Sequence, residues 1–232
     1  MKRLSIAVAL VALSALATSP SQAQVTNSTI NDPKTVAHLG VLKERATKIV
    51  SPLGITDDAR SERVRDIIIR QYRDLSGIHE VRDKKIKQAR ETAGADKATA
   101  NAEIEAARAE AKPKLDKLHG EFLGRLATEL SPEQVEKVKD GMTYGVLPLT
   151  YGVYLRMYPE LTEEQKTQIK AWLTEAREQA MDGSTSDEKH AVFGKYKGKI
   201  TNYLSKAGYD AKKAEQNLKK PAPPASAESK PN

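Results

Sequence analysis

From residue 33 to residue 207 the apolar side chains recur every three or four positions, and no stretch alternates apolar with polar between turn signals. That period lays one stripe along an α-helix and does not suit a half-buried strand. The chain is therefore expected to be all-α, a single helical bundle domain of long helices over residues 33–210. Val36, Leu39, Leu42, Ala46 and Val50 form a first stripe, broken at Ser51-Pro52-Leu53-Gly54. A long helix is predicted over residues 57–92, with Thr56 as N-cap and Val64, Ile67, Ile68, Tyr72, Leu75, Ile78 and Ile86 on its stripe. Residues 97–110 are rich in Ala, Glu, Arg and Lys, with strong helix propensity and little to bury. They read as a protruding helical arm or the tip of a hairpin. Leu115, Leu118, Phe122, Leu123 and Leu126 return to the core.

Two stretches share a pattern, Leu130-Ser131-Pro132-Glu133-Gln134 and Leu161-Thr162-Glu163-Glu164-Gln165. Each is a capping box: a hydroxyl at the N-cap and a glutamine three residues on satisfy backbone N–H groups reciprocally. Between them Thr-Tyr-Gly-Val occurs twice, at 143–146 and 150–153. Pro148 disfavours a helical Leu147 and predicts a break there. The second boxed helix carries Ile169, Trp172, Leu173 and Ala176, with Trp172 expected in the core. A last helix, residues 186–204, ends before Gly208. Residues 211–232 lose the apolar period and read as a disordered Lys/Pro/Ala-rich tail.

At the other end, Met1-Lys2-Arg3 followed by an apolar run over residues 4–17 and by Ser21-Gln22-Ala23 has the form of a signal peptide cleaved after Ala23, with residues 24–32 a flexible segment. The mature chain is then periplasmic or secreted. It contains no cysteine, so neither disulfides nor thiol chemistry can operate. Loss of Lys2 and Arg3 lowers the net charge from +7 to +5, and the charges interleave along the helices. No basic stripe with aromatic platforms is present, so nucleic acid is not an expected partner. No later segment is apolar enough to cross a bilayer.

Motifs for nucleophilic catalysis, zinc or phosphate binding are absent, no metal site or cofactor is expected, and no catalytic residue can be named. Three places stand out. On the long helix His79, Arg82 and Asp83 interrupt an apolar stripe, with His79 and Asp83 four apart. They read as an internal network fixing helix register or as a ligand pocket. Tyr144, Tyr151 and Tyr154 lie in the doubled segment and read as rim packing or as a surface that stacks on sugar rings. On the last helix His190, Phe193, Lys197, Ile200 and Leu204 share a face, while Gly194 and Gly198 flank Lys195 and Tyr196. Glycines four apart signal a close approach, by another helix or by a ligand.

Roughly from Ile55 to Asp210 the chain resembles exported bacterial proteins of the domain of unknown function 3826 family, through the runs 130–158, with Gly141-Met142-Thr143-Tyr144-Gly145-Val146-Leu147-Pro148, 172–181, and 190–210, with Phe193-Gly194-Lys195-Tyr196-Lys197-Gly198. That resemblance implies an envelope setting and a polysaccharide-degradation context. It supplies no catalytic residues. Leu161-Thr162-Glu163-Glu164-Gln165 is also similar, more weakly, to the Leu-Thr-x-x-Gln motif of Spy and CpxP-type periplasmic proteins. The expected function is a non-catalytic envelope binding or accessory protein that takes a glycan or other polar ligand, or meets an envelope protein partner. A Spy-like ATP-independent chaperone and a glycan-active hydrolase or lyase, with His79 or His190 as base, are the alternatives.

Overall fold

The computed structural model describes residues 33–94 and 96–219, which form eight α-helices and no strand. These are α1 (Pro33–Val50), α2 (Asp58–Thr92), α3 (Lys97–Ala127), α4 (Pro132–Met142), α5 (Val146–Met157), α6 (Glu163–Met181), α7 (Ser186–Lys206) and α8 (Ala211–Leu218), with a 3-10 turn at Ser51–Leu53. The all-α expectation holds. The stretch read as a signal peptide, the segment at 24–32 and most of the stretch read as a tail lie outside the described residues. Residues 211–218, read from sequence as tail, instead form α8, which packs on α5. Asp210 caps this helix by accepting from the backbone N–H groups of Lys212 and Lys213.

Helices α2 and α3 make an antiparallel hairpin. Residues 97–110 are its tip, and Ile104 and Ala107 face inward. The N-cap of α2 is Asp57, not Thr56; the Asp57 carboxylate accepts from the Arg60 N–H. Both capping boxes form as expected. Ser131 and Thr162 accept from the N–H of Gln134 and Gln165, and each glutamine oxygen accepts from the N-cap N–H in return.

Two apolar clusters hold the bundle. The first gathers Ala46, Ile49, Val64, Ile68, Phe122, Leu126, Val138 and Met142 from α1 to α4. The second gathers Leu147, Tyr154, Leu161, Ile169, Leu173, Phe193, Ile200 and Leu204 from α5 to α7, with Ala214 of α8. Phe122 has no exposed surface, and an aromatic side chain buried so completely stabilises the fold by about 3 kcal/mol. Met181, at the end of α6, belongs to the first cluster, so α6 reaches from one cluster to the other.

The break between the capping boxes lies earlier than Pro148 predicts. Helix α4 ends at Met142, Tyr144 and Gly145 both take left-handed backbone (φ 58° and 66°), and α5 starts at Val146. Pro148 falls in the first turn of α5, where its missing N–H has no helical partner to lose. The second Thr-Tyr-Gly-Val lies wholly inside α5.

Candidate functional site

Where the ends of α4 and α6 meet the start of α7, a cleft of about 520 Å³ opens beside the first cluster. Arg45 and Lys48 of α1, Tyr72 of α2, Tyr144 of the α4–α5 turn, Ser184 and Thr185 of the α6–α7 loop, and Ser186 and Lys189 of α7 line it. None of these lining residues is acidic. Lys48 is paired with Glu44, whereas Arg45 makes no ion pair among the described residues. At the bottom, Gly141 leaves room for Ile49: a Cβ there would lie 3.0 Å from the Ile49 side chain.

Lys189 is the unusual member. It is 4% exposed and its ammonium donates to the main-chain carbonyls of Met142 (3.0 Å) and Met181 (3.3 Å), the last residues of α4 and α6. Those carbonyls have no partner within their own helices and carry the negative end of the helix dipoles, so a cation suits them. The ammonium also lies 5.9 Å from the centre of the Tyr72 ring. Burial nevertheless dominates and pushes the Lys189 amine down to about 8, with Asp182 and Glu188 resisting the shift. Burial also pushes the Tyr72 phenol up to about 12. The Tyr72 hydroxyl has no hydrogen-bond partner among the described residues, so it stays protonated and available to the cleft.

Tyr144 stands at the rim, 52% exposed, its ring stacked on His190 at 5.8 Å and 18°. It is the one non-glycine residue with positive φ among those described, and holding a bulky side chain there costs on the order of 1 kcal/mol. Thr143 fixes the turn. It is fully buried, and its hydroxyl donates to the carbonyl of Lys139.

Behind the cleft runs an ionic network that joins α3, α4 and α6. Arg177, 3% exposed, donates to Asp140 (2.8 Å), to Glu136 and to Glu178 (3.1 Å). Lys139 joins Glu136 and Glu178. His119 sits between Asp182 (3.0 Å) and Glu178 (3.4 Å). The hydrogen bond that the imidazole donates to Asp182, then the one it donates to Glu178, raises His119 to about 9. Burial works to raise the Glu178 carboxyl, but His119 and Lys139 overcome it and take it to about 2.

The residues singled out by sequence are distributed over several places. His79 is buried and donates from Nε2 to the Asp182 carbonyl at 2.6 Å, while its Nδ1 has no partner. The expected His79–Asp83 pairing is absent: Asp83 pairs with Arg82, and Arg82 also pairs with Glu188 of α7. This group is thus tied into contacts within the fold. Tyr154 is buried in the second cluster and Tyr151 packs against it. The Tyr196 hydroxyl accepts from Gln179, and Lys195 is exposed. A Cβ at Gly194 or Gly198 would meet open space, so no helix approaches there. Trp172 is half-buried against the second cluster, edge-on to Tyr203 at 5.2 Å with Lys199 over its face, rather than fully in the core. Of the sequence candidates, Tyr144 lines the cleft and His190 backs it. Lys189, Tyr72 and Arg45 were missed. The available signal was Lys189 in phase with the buried stripe Phe193, Ile200 and Leu204.

Among the described residues no group of side chains could hold a metal ion, and no helix is long and apolar enough to cross a membrane. Fold and cleft define an all-α bundle domain with a cationic, hydroxyl-lined pocket beside its first apolar cluster. The chain belongs to the family of proteins of unknown function DUF3826, whose model matches residues 39–222. No curated protein matches the chain. The family match extends through α8, and it carries no Spy or CpxP likeness.

Proposed function

We propose that this is an exported envelope protein that binds an anionic, hydroxylated ligand in the Lys189 cleft, with acidic sugars of glycans as the ligand class. The observation that supports this reading most is the lining itself: Arg45 and Lys189 line the cleft, none of the lining residues is acidic, and the Tyr72 and Ser186 hydroxyls make no hydrogen bond among the described residues. An anion there would gain charge-assisted hydrogen bonds, each contributing about 1.5–3 kcal/mol in a partly buried site. Ring hydroxyls suit Tyr72 and Ser186, and a sugar face suits the exposed Tyr144 ring. Export rests on the signal-like first 23 residues, and the glycan context on the family resemblance of the sequence.

Equilibrium binding to matched neutral and uronate-bearing oligosaccharides tests the reading. Acidic members are expected to bind and neutral ones to bind at least tenfold more weakly, with Tyr144→Ala weakening the acidic ligands about tenfold, or 1.4 kcal/mol. Equal binding of neutral and acidic members would overturn it.

A further inference from the structure

The cleft holds an amine, a free guanidinium and a protonated phenol, which are the three groups needed to remove a proton beside a carboxylate and release an oxygen leaving group. We propose that the protein cleaves uronate-containing glycans by β-elimination, with Lys189 as the base that takes the proton, Arg45 as the group that neutralises the carboxylate, and Tyr72 as the acid that protonates the departing oxygen. The inference rests on the acidic-sugar reading of the cleft.

The geometry of the amine carries the argument. A neutral lysine amine has two N–H bonds and one lone pair. Two carbonyls, those of Met142 and Met181, accept from Lys189. With both N–H bonds directed to them, the remaining tetrahedral position is left for the lone pair, and the residue lines the cleft. The two helix ends therefore orient the base, as second-layer groups do in other acid–base sites. Charged and titratable groups around it are Arg45 from α1, Tyr72 from α2, Tyr144 from the turn, Asp182 at the end of α6 and Glu188 on α7. Burial outweighs the carboxylates among these, so a neutral fraction exists near pH 8.

The step balances without an oxidant or a cofactor. Lys189 Nζ takes the proton from the sugar carbon bearing the carboxylate. The electron pair of that C–H bond becomes the C4=C5 double bond. The C4–O4 bond breaks, its pair stays on O4, and O4 takes the Tyr72 hydroxyl proton. The Tyr72 phenolate is then reprotonated at the expense of the Lys189 ammonium. The sequence pointed to His79 or His190 for this role; His79 is sealed behind Asp182, and His190 is stacked on Tyr144 outside the lining.

The mature chain is incubated with polygalacturonate, alginate and glucuronan, while unsaturated ends are followed by their ultraviolet absorbance and binding is followed by calorimetry. Turnover of at least one polymer is expected, with a rate that rises with pH towards about 8. Lys189→Arg keeps the cation and cannot accept a proton: binding should hold within about threefold while turnover falls at least about 10²-fold. Tyr72→Phe, which removes a single unpartnered hydroxyl, should lower turnover with binding kept, and it serves as the second variant if Lys189→Arg does not fold. Binding without turnover by the wild type overturns the elimination and leaves the binding reading standing. No binding and no turnover overturns both. Undiminished turnover in either folded variant removes that residue from its role.

Discussion

Arg177→Met is expected to cost about 3 kcal/mol of folding stability. The guanidinium is 3% exposed and contacts Asp140, Glu136 and Glu178, while Lys139 and His119 share two of those carboxylates. Removing one partner of a buried ionic cluster leaves the others uncompensated, and the general cost is about 3–5 kcal/mol. The lower end applies because the stranded acids retain 29–51% exposure and can recover water. For a domain of this size the loss lowers Tm by roughly 6–12 °C. Glu136→Gln, on the half-exposed side of the same network, should cost under about 1 kcal/mol. Chemical denaturation of both variants checks the pair. A loss below about 1 kcal/mol in Arg177→Met would mean that the network is not held together by its buried cation.

The second large effect depends on pH. The His119 imidazole is raised from its ordinary 6.5 to about 9 in the fold, chiefly by Asp182 and then by Glu178. A raised folded value means that the folded state binds the proton more tightly than the unfolded chain. The contribution is therefore fully present below pH 6.5 and is lost as pH rises through about 9. A displacement of that size corresponds to about 3 kcal/mol, and His119 is only 19% exposed. Lys189 acts in the opposite direction. Its amine is lowered to about 8, so the burial cost of its charge is relieved as pH rises from 8 towards 10.5. The wild-type curve alone mixes the two. The stability difference between wild type and His119→Gln isolates the imidazole: it should be largest at pH 6 and close by about pH 10. Glu178 sets the acid limb. Its carboxyl is lowered to about 2, so its contribution is present above pH 4.5 and fades as pH falls towards 2. A wild-type to His119→Gln gap that stays constant between pH 6 and 10 would contradict the assignment.

The architecture was legible because its signals are local. The helical period located the long elements, and both capping boxes formed from the residues that announced them. The doubled Thr-Tyr-Gly-Val shows where locality fails. The same four residues make a left-handed turn at 143–146 and a helix at 150–153. Nothing within the tetrapeptide distinguishes them. The difference is that Thr143 is buried at the end of α4 and donates to the Lys139 carbonyl, while Thr150 and Tyr154 bury one face of α5.

The site was harder to read for a related reason. Spacings of three and four both keep a residue on a helical stripe, so His190 and Lys189 were equally eligible partners for Phe193. The core takes Lys189, because two helix-end carbonyls across the bundle can accept from an ammonium there. Arg177 escaped in the same way, four residues after Leu173 and surrounded by acids contributed mainly from α4. His79 was correctly seen as out of place, but its hydrogen bond to the Asp182 carbonyl spans 103 residues and could not be read from its neighbours. A polar residue on an apolar stripe signals that a partner exists. Only the tertiary fold says which partner.

The most direct test of the cationic cleft is calorimetric titration of the wild type and of Arg45→Ala with one uronate oligosaccharide. Arg45 is exposed and makes no ion pair among the described residues, so its removal should leave folding stability within about 0.5 kcal/mol. Saturable one-to-one binding is expected of the wild type and an affinity at least tenfold weaker of Arg45→Ala, with both proteins unfolding at the same denaturant concentration. Affinity unchanged in the folded variant, or no heat of binding from the wild type, would contradict it.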